Sequence, residues 1–217
     1  MNAAQALGLL RGLRVPAVTT ADAAALLGLT TGAASHTLRR LAGAGLVAGV
    51  RKGLWALQDP PEPLALAEYV TAPYPSYVSL QSALYLHGMV DQVPSVTYLV
   101  SLARTARVET GVGVYSVHHV HPSFFGGAEQ DPRTGVRLAT PEKALVDHLY
   151  LSPTRSRLFS RLTELELPDG FRAAEARRWV RRIPSARVKT IVDRELERLF
   201  AERGLRRGGR GAEAGLP

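Results

Sequence analysis

The chain has no cysteine among its 217 residues, which excludes disulfides, thiolate zinc sites and cysteine nucleophiles and suits a reducing cytosol. No stretch approaches the ~20 consecutive apolar residues of a membrane span. The opening Met1-Asn2-Ala3-Ala4-Gln5 has neither the basic start nor the apolar core of a secretory signal, so a soluble cytoplasmic protein is expected. No Gly-Lys-Ser or Gly-Lys-Thr of a phosphate-binding loop occurs. Gly111-Val112-Gly113 lacks the remaining glycine of a dinucleotide loop, and no serine nucleophile elbow is present. The sequence therefore offers no positive sign of catalysis, and no cofactor is expected.

Positive charge is what the chain has in excess: 27 Lys and Arg against 19 Asp and Glu, a net charge of +8. That balance favours a polyanionic partner and salt-sensitive binding. Because 24 of the 27 cations are arginine, a codon bias toward Arg and Ala is an alternative source for part of the excess, and charge alone decides little. With 46% hydrophobic residues the chain can bury one large core or two small ones.

Thr20 to Leu57 narrows the partner. Thr20 is a suitable N-cap for a helix over Ala21 to Leu27, with Leu26 and Leu27 available for burial, and Gly28 breaks it in left-handed geometry. Thr30 or Thr31 then caps a second helix through Ala44. There Ala34, Leu38 and Leu41 recur at spacings of four and three, and Gly45 ends the run. That stripe points inward, which leaves Thr31, Gly32, Ser35, His36, Arg39 and Arg40 largely outward. Leu46 to Val50 and Leu54 to Leu57 bracket Arg51-Lys52-Gly53, a hairpin with two cations at its tip. Asn2 to Arg14 supplies a preceding helix, ended by Pro16. The order is that of a winged helix-turn-helix, a unit that places one helix in a DNA major groove. Thr31, Ser35, His36 and Arg39 are assigned to base readout, Arg51, Lys52 and Arg14 to phosphates, and Arg40 to either. The alternative is a merely solvated basic face, against which caps, turn, apolar stripe and basic tip all agree.

Asp59-Pro60-Pro61-Glu62-Pro63 is the clearest break in the chain, so domains are expected at 1–58 and 59–203, followed by a disordered basic tail at 204–217. In the second domain Leu64 to Val70 reads as a short helix, and Ser79 is placed to cap Leu80 to His87. Val96 to Leu102 and Val112 to Val120 read as an antiparallel strand pair, with Val136 to Leu138 a shorter strand of the same sheet. Thr140-Pro141-Glu142 starts a helix to Leu151. Further helices are expected near Thr154 to Leu165, Ala173 to Arg182 and Ser185 to Arg203. The fold class is thus α+β: an N-terminal winged helix-turn-helix followed by a mixed domain with a small, mainly antiparallel sheet and a helical C-terminal part.

The last helices carry Arg155, Arg157, Arg161, Arg172, Arg177, Arg178, Arg181, Arg182, Arg187, Arg194, Arg198 and Arg203. They form either a second anion-binding surface or ordinary helix faces paired with Glu164, Glu175, Asp193 and Glu195. His118, His119 and His121 are the only local cluster of metal-ligand types. On one strand His119 and His121 would share a face, and without a third ligand a structural role is expected. His87 and His148, near predicted helix ends, suit the helix dipole when protonated.

Tyr77-Val78-Ser79-Leu80-Gln81-Ser82-Ala83-Leu84-Tyr85-Leu86-His87-Gly88 resembles a stretch of the AbiEi-type antitoxins, regulators in type IV toxin-antitoxin and abortive-infection pairs. Thr140-Pro141-Glu142-Lys143-Ala144-Leu145-Val146-Asp147 is similar to that family's second recurring stretch. The resemblance implies a repressor that binds inverted repeats in its own promoter as double-stranded DNA, as a homodimer if one forms there. It also implies that the second domain counters a nucleotidyltransferase toxin, with no membrane partner and no catalysis. The competing expectation is a small-molecule-sensing repressor whose second domain holds an effector near His87, His119 or Tyr98.

Overall fold

The computed structural model describes residues 2–57, 60–132, 134–151 and 165–205. The chain is mixed α+β, with eight α-helices and two sheets among the described residues. It divides into two compact units. The first is Met1–Val78, Pro94–His119 and Gln130–Leu138; the second is Ser79–Val93, Val120–Glu129 and Ala139–Pro217. The proline-rich break at 59–63 is therefore not where the units part, and the segment 59–203 is shared between them.

The first unit begins with helix α1 (Ala3–Gly12), closed by a reciprocal capping box between Asn2 and Gln5. Strand β1 (Ala17–Thr19) follows, which the sequence did not suggest, and then α2 (Thr20–Leu27). The cap of α2 is Thr19 rather than Thr20: the Thr19 hydroxyl accepts from the Asp22 N–H while Asp22 reaches back, leaving Thr20 inside the helix. Gly28 ends α2 at φ +63°. Thr30 caps α3 (Thr31–Gly43), which buries Ala34, Leu38 and Leu41 as its spacing predicts. Leu27 is buried on α2, but Leu26 is exposed.

Strands β2 (Ala48–Arg51) and β3 (Leu54–Ala56) form a hairpin, and β1 pairs on the other side of β3, giving an antiparallel sheet in the order β1-β3-β2. Its two faces serve two cores. Val18 and Leu57 pack with Leu10, Ala23, Leu38, Leu41 and Val47 on the helical side. Ala17, Val50, Leu54 and Ala56 join Val78, Leu99, Tyr115 and Val117 on the other.

The second sheet has the order β6-β7-β5-β4-β9-β8, with β4 Ser76–Val78, β5 Thr97–Ser101, β6 Ala106–Thr110, β7 Gly113–His119, β8 Ala128–Gln130 and β9 Arg137–Ala139. It is mixed rather than mainly antiparallel. The two strands expected as an antiparallel pair, β5 and β7, run parallel. The antiparallel partner of β7 is β6, a strand hidden in what reads as a loop. Leu64–Leu66 forms a 3-10 turn leading into α4 (Ala67–Thr71). The Tyr115 hydroxyl donates to the Pro63 carbonyl at 2.8 Å, and burial pushes its pKa up to about 12.

In the second unit, α5 spans Leu80–Leu86, α6 Pro141–Leu151, α7 Ala173–Arg181 and α8 Ala186–Glu202. Thr140 caps α6 as expected, its hydroxyl accepting from the Lys143 N–H at 3.3 Å. Ser79 stands at the cap position of α5 without making a cap bond, because its hydroxyl donates instead to Asp147 Oδ2 on α6 at 2.8 Å. The helix expected near Thr154 to Leu165, with Arg155, Arg157 and Arg161, and the tail beyond Leu205 lie outside the described residues.

Candidate nucleic-acid interface

Helix α3 owes its orientation to a buried stripe of small and branched residues, and the opposite side follows from the 100° rotation per residue. Thr31, Gly32, His36, Arg39 and Arg40 are exposed there, while Ser35 is half-buried. Arg39 folds back along its own helix: Nε donates to the Ser35 carbonyl at 3.3 Å and Nη2 to the Ser35 hydroxyl at 3.2 Å. Both acceptors are neutral, so the guanidinium keeps its charge uncompensated while its direction is restricted.

The hairpin is tied to the start of α2. Trp55 Nε1 donates to the Thr20 hydroxyl at 2.9 Å, and the Thr20 N–H donates to the Gly53 carbonyl at 2.8 Å. These bonds explain why Thr20 is not the cap. They fix Arg51 and Lys52 relative to the element that precedes α3. Arg51 belongs to β2 rather than to the tip, which is Lys52-Gly53. Both cations are exposed. Neither they nor Arg39 and Arg40 form an ion pair with a described carboxylate. Arg14, also exposed, sits at φ +53° just beyond α1.

A contact that the sequence concealed steadies the same hairpin. The β2–β3 register shifts between Gly49 and Arg51, leaving Val50 as an extra residue. The Val50 carbonyl accepts from the Gly111 N–H at 3.0 Å. A Cβ on Gly111 would lie 2.5 Å from the Gly49 carbonyl oxygen, so only glycine allows this approach. Of the Gly111-Val112-Gly113 sequence, unsuited to a dinucleotide, the first two residues are the turn between β6 and β7 and Gly113 opens β7.

Several arginines of the C-terminal helices are differently placed, although Arg181, Arg187 and Arg194 are exposed and form no ion pair with a described carboxylate. Arg177 meets Glu197 at 2.7 Å, Arg178 meets Glu175 at 3.5 Å, and Arg198 is shared by Glu195 at 2.9 Å and Glu202 at 2.8 Å. Of these carboxylates, Glu175 and Glu195 match the expected partners, whereas Glu197 and Glu202 are unexpected ones. Arg182 stacks over Trp179, 4.5 Å from the ring centroid.

The most buried charges lie on α6. Lys143 and Asp147 form an ion pair one turn apart with both side chains fully enclosed. The Lys143 ammonium also sits 3.7 Å from the Phe124 ring centroid. Burial pulls the Lys143 pKa below its ordinary value, with Asp147 pulling the other way. Burial raises the Glu142 pKa, but bonds from the Arg172 N–H, its own N–H and Thr140, with the Arg172 charge, outweigh it and leave a net lowering. His148 is buried, and burial takes its pKa down to about 4. Its imidazole is therefore neutral at pH 7, and the expected dipole role for a protonated His148 does not hold.

His118 and His119 alternate on β7, the first buried and stacked on Tyr98, the second exposed. His121 is not on a strand; its Nδ1 accepts from the Ser123 N–H at 3.2 Å. His87 Nε2 lies 2.7 Å from the Ala139 carbonyl oxygen. Among the described residues no group of three His, Cys, Asp or Glu is placed to hold a metal ion, and no helix is long and apolar enough to cross a membrane. No protein-family model matches the chain, and no curated protein sequence matches it.

Proposed function

We propose that α1 to β3 form a winged helix-turn-helix and that the chain is a DNA-binding transcriptional regulator of the antitoxin type, acting without catalysis or cofactor. The observation that carries this reading is the set of four exposed cations, Arg39, Arg40, Arg51 and Lys52, on two elements tied to α2 and unpaired with any described carboxylate. Phosphates are the natural counter-charge for Arg51 and Lys52. Thr31, Ser35, His36 and Arg39 are assigned to base edges, and Arg40 to either duty. The partner is double-stranded DNA, taken as inverted repeats of the chain's own promoter. A nucleotidyltransferase toxin as second partner rests on the resemblance carried by residues 77–88 and 140–147.

A mobility-shift titration with the chain's own upstream DNA tests the reading. Arg51→Ala with Lys52→Ala weakens binding to operator and random DNA alike and reduces the salt slope by about 2, roughly 0.9 per lost phosphate contact. Arg39→Ala alters operator preference. Equal affinity of the wild-type chain for its operator and for random duplex overturns the proposal. Growth rescue by the chain against a nucleotidyltransferase encoded beside it tests the toxin partner separately.

A further inference from the structure

The outer strand of the second sheet, β6, has backbone groups aimed at its edge. Thr110 and Gly113 flank a two-residue turn, so that pair exchanges both backbone hydrogen bonds, and the alternation repeats at Val108↔Tyr115 and Ala106↔Val117. The N–H and C=O groups of Arg107 and Glu109 consequently point away from β7. Five register pairs run without a bulge, and no proline interrupts residues 106–110. Bulges and prolines are two of the devices that blunt such an edge, and β6 has neither; its charges, Arg107 and Glu109, are a third, which turns away a strand that cannot match them. Its side chains are exposed at Arg107 and Glu109, 60% and 74% respectively, and those two share one face of the strand.

We propose that β6 pairs antiparallel with β6 of a second copy of this chain, about a two-fold axis through Val108. The charge pattern selects a second copy rather than an unrelated peptide. In that register Arg107 of each chain stands opposite Glu109 of the other, and the pair that exchanges backbone hydrogen bonds is this same one. Val108 meets Val108 at the axis. Within one chain Arg107 Nε already lies 3.4 Å from Glu109 Oε1, so on pairing each exposed guanidinium gains a second carboxylate across the axis, and the pairing closes at two because it consumes the edge. The axis stands perpendicular to the sheet, so the same sheet face lies on the same side in both copies. That is the face whose Tyr115, Val117 and Val108 pack with Ala17, Val50 and Leu54 of the N-terminal sheet. Both Arg51-Lys52 hairpins then project on one side of a continuous sheet, the arrangement that inverted repeats require.

Sedimentation equilibrium of the full chain without DNA tests this interface independently of DNA binding. The wild-type chain gives a concentration-dependent monomer–dimer equilibrium. Arg107→Pro removes an N–H directed at the edge but none bonded to β7, so it yields monomers with an unchanged thermal midpoint. Arg107→Glu sets like charges opposite each other twice and weakens the dimer about tenfold, and adding Glu109→Arg restores it by reversing the pattern. A wild-type chain that stays monomeric, assembly beyond the dimer, or failure of the reversed pair to recover what Arg107→Glu loses overturns the proposal. Loss of DNA recognition with an intact dimer would instead count only against the regulator reading.

Discussion

In residues 39–52 the cations Arg39, Arg40, Arg51 and Lys52 stand exposed with no described carboxylate partner, whereas in residues 172–203 Arg177, Arg178 and Arg198 are each held by glutamate. Lys143 is the extreme of the second kind, enclosed with Asp147. A guanidinium already satisfied by carboxylate must exchange one partner for another before it binds phosphate, while an unpaired one needs only to shed water and counterions. Arginine content is therefore a poor guide to where an anion binds. The paired Arg177, Arg178 and Arg198 should separate by experiment from the unpaired cations of residues 39–52, the first governing stability and the second affinity for DNA.

The largest effect falls on the enclosed pair. Asp147→Ala removes the carboxylate paired with the Lys143 ammonium and the acceptor of the Ser79 hydroxyl, costing about 3–5 kcal/mol in urea unfolding, with DNA affinity of the folded fraction unchanged. A cost below 1 kcal/mol would show that water reaches the pair. Acid acts on the same helix. Because the folded-state pKa of His148 is depressed to about 4, the folded chain binds fewer protons than the unfolded chain below the ordinary value of 6.5. Stability is at its full value above pH 6.5 and falls by up to about 1.4 kcal/mol per pH unit as pH drops toward 4. Thermal midpoints measured across that range should flatten in His148→Gln.

Gly111→Ala probes the hairpin rather than the helices. The added methyl must displace the Gly49 carbonyl, at a cost of about 1–3 kcal/mol, and DNA affinity falls with it because the hairpin moves. The smallest effects are the sharpest contrast. Arg177→Ala, losing a half-enclosed ion pair to Glu197, costs about 0.5–1 kcal/mol by urea unfolding and leaves DNA binding alone. Arg39→Ala stays within about 0.5 kcal/mol of wild type by the same measure while changing operator preference. If both arginines behaved alike in both assays, the distinction between the two regions would fail.

The sequence was most legible where capping and periodicity coincide. Thr30, Gly28, and Thr140 with Pro141 all mark real helix ends. It was least legible where elements are short or enclosed on every side. Three residues suffice for β1, too few for an alternating pattern to emerge, and both faces of its sheet are covered. Strand β6 carries Arg107, Glu109 and Thr110, a composition that reads as loop because an edge strand needs no apolar face outside. Residues 142–148 of α6 are all buried, so Glu142, Lys143, Asp147 and His148 look like a surface helix until their neighbours are known. The outward positions Gly32, His36, Arg39 and Arg40 followed from the α3 stripe. The Gly111–Val50 contact did not, since it depends on a register shift that no local pattern encodes.

The two-sided sheet of β1, β2 and β3 also sets a limit on modular reuse. Cutting the chain after Leu57 to obtain a minimal headpiece would bare Ala17, Val50, Leu54 and Ala56, an oily patch that now has Leu99, Tyr115 and Val117 against it. The excised piece would clump, or its hairpin would splay, and transplanting it as a cassette onto a foreign partner would require rebuilding that missing floor.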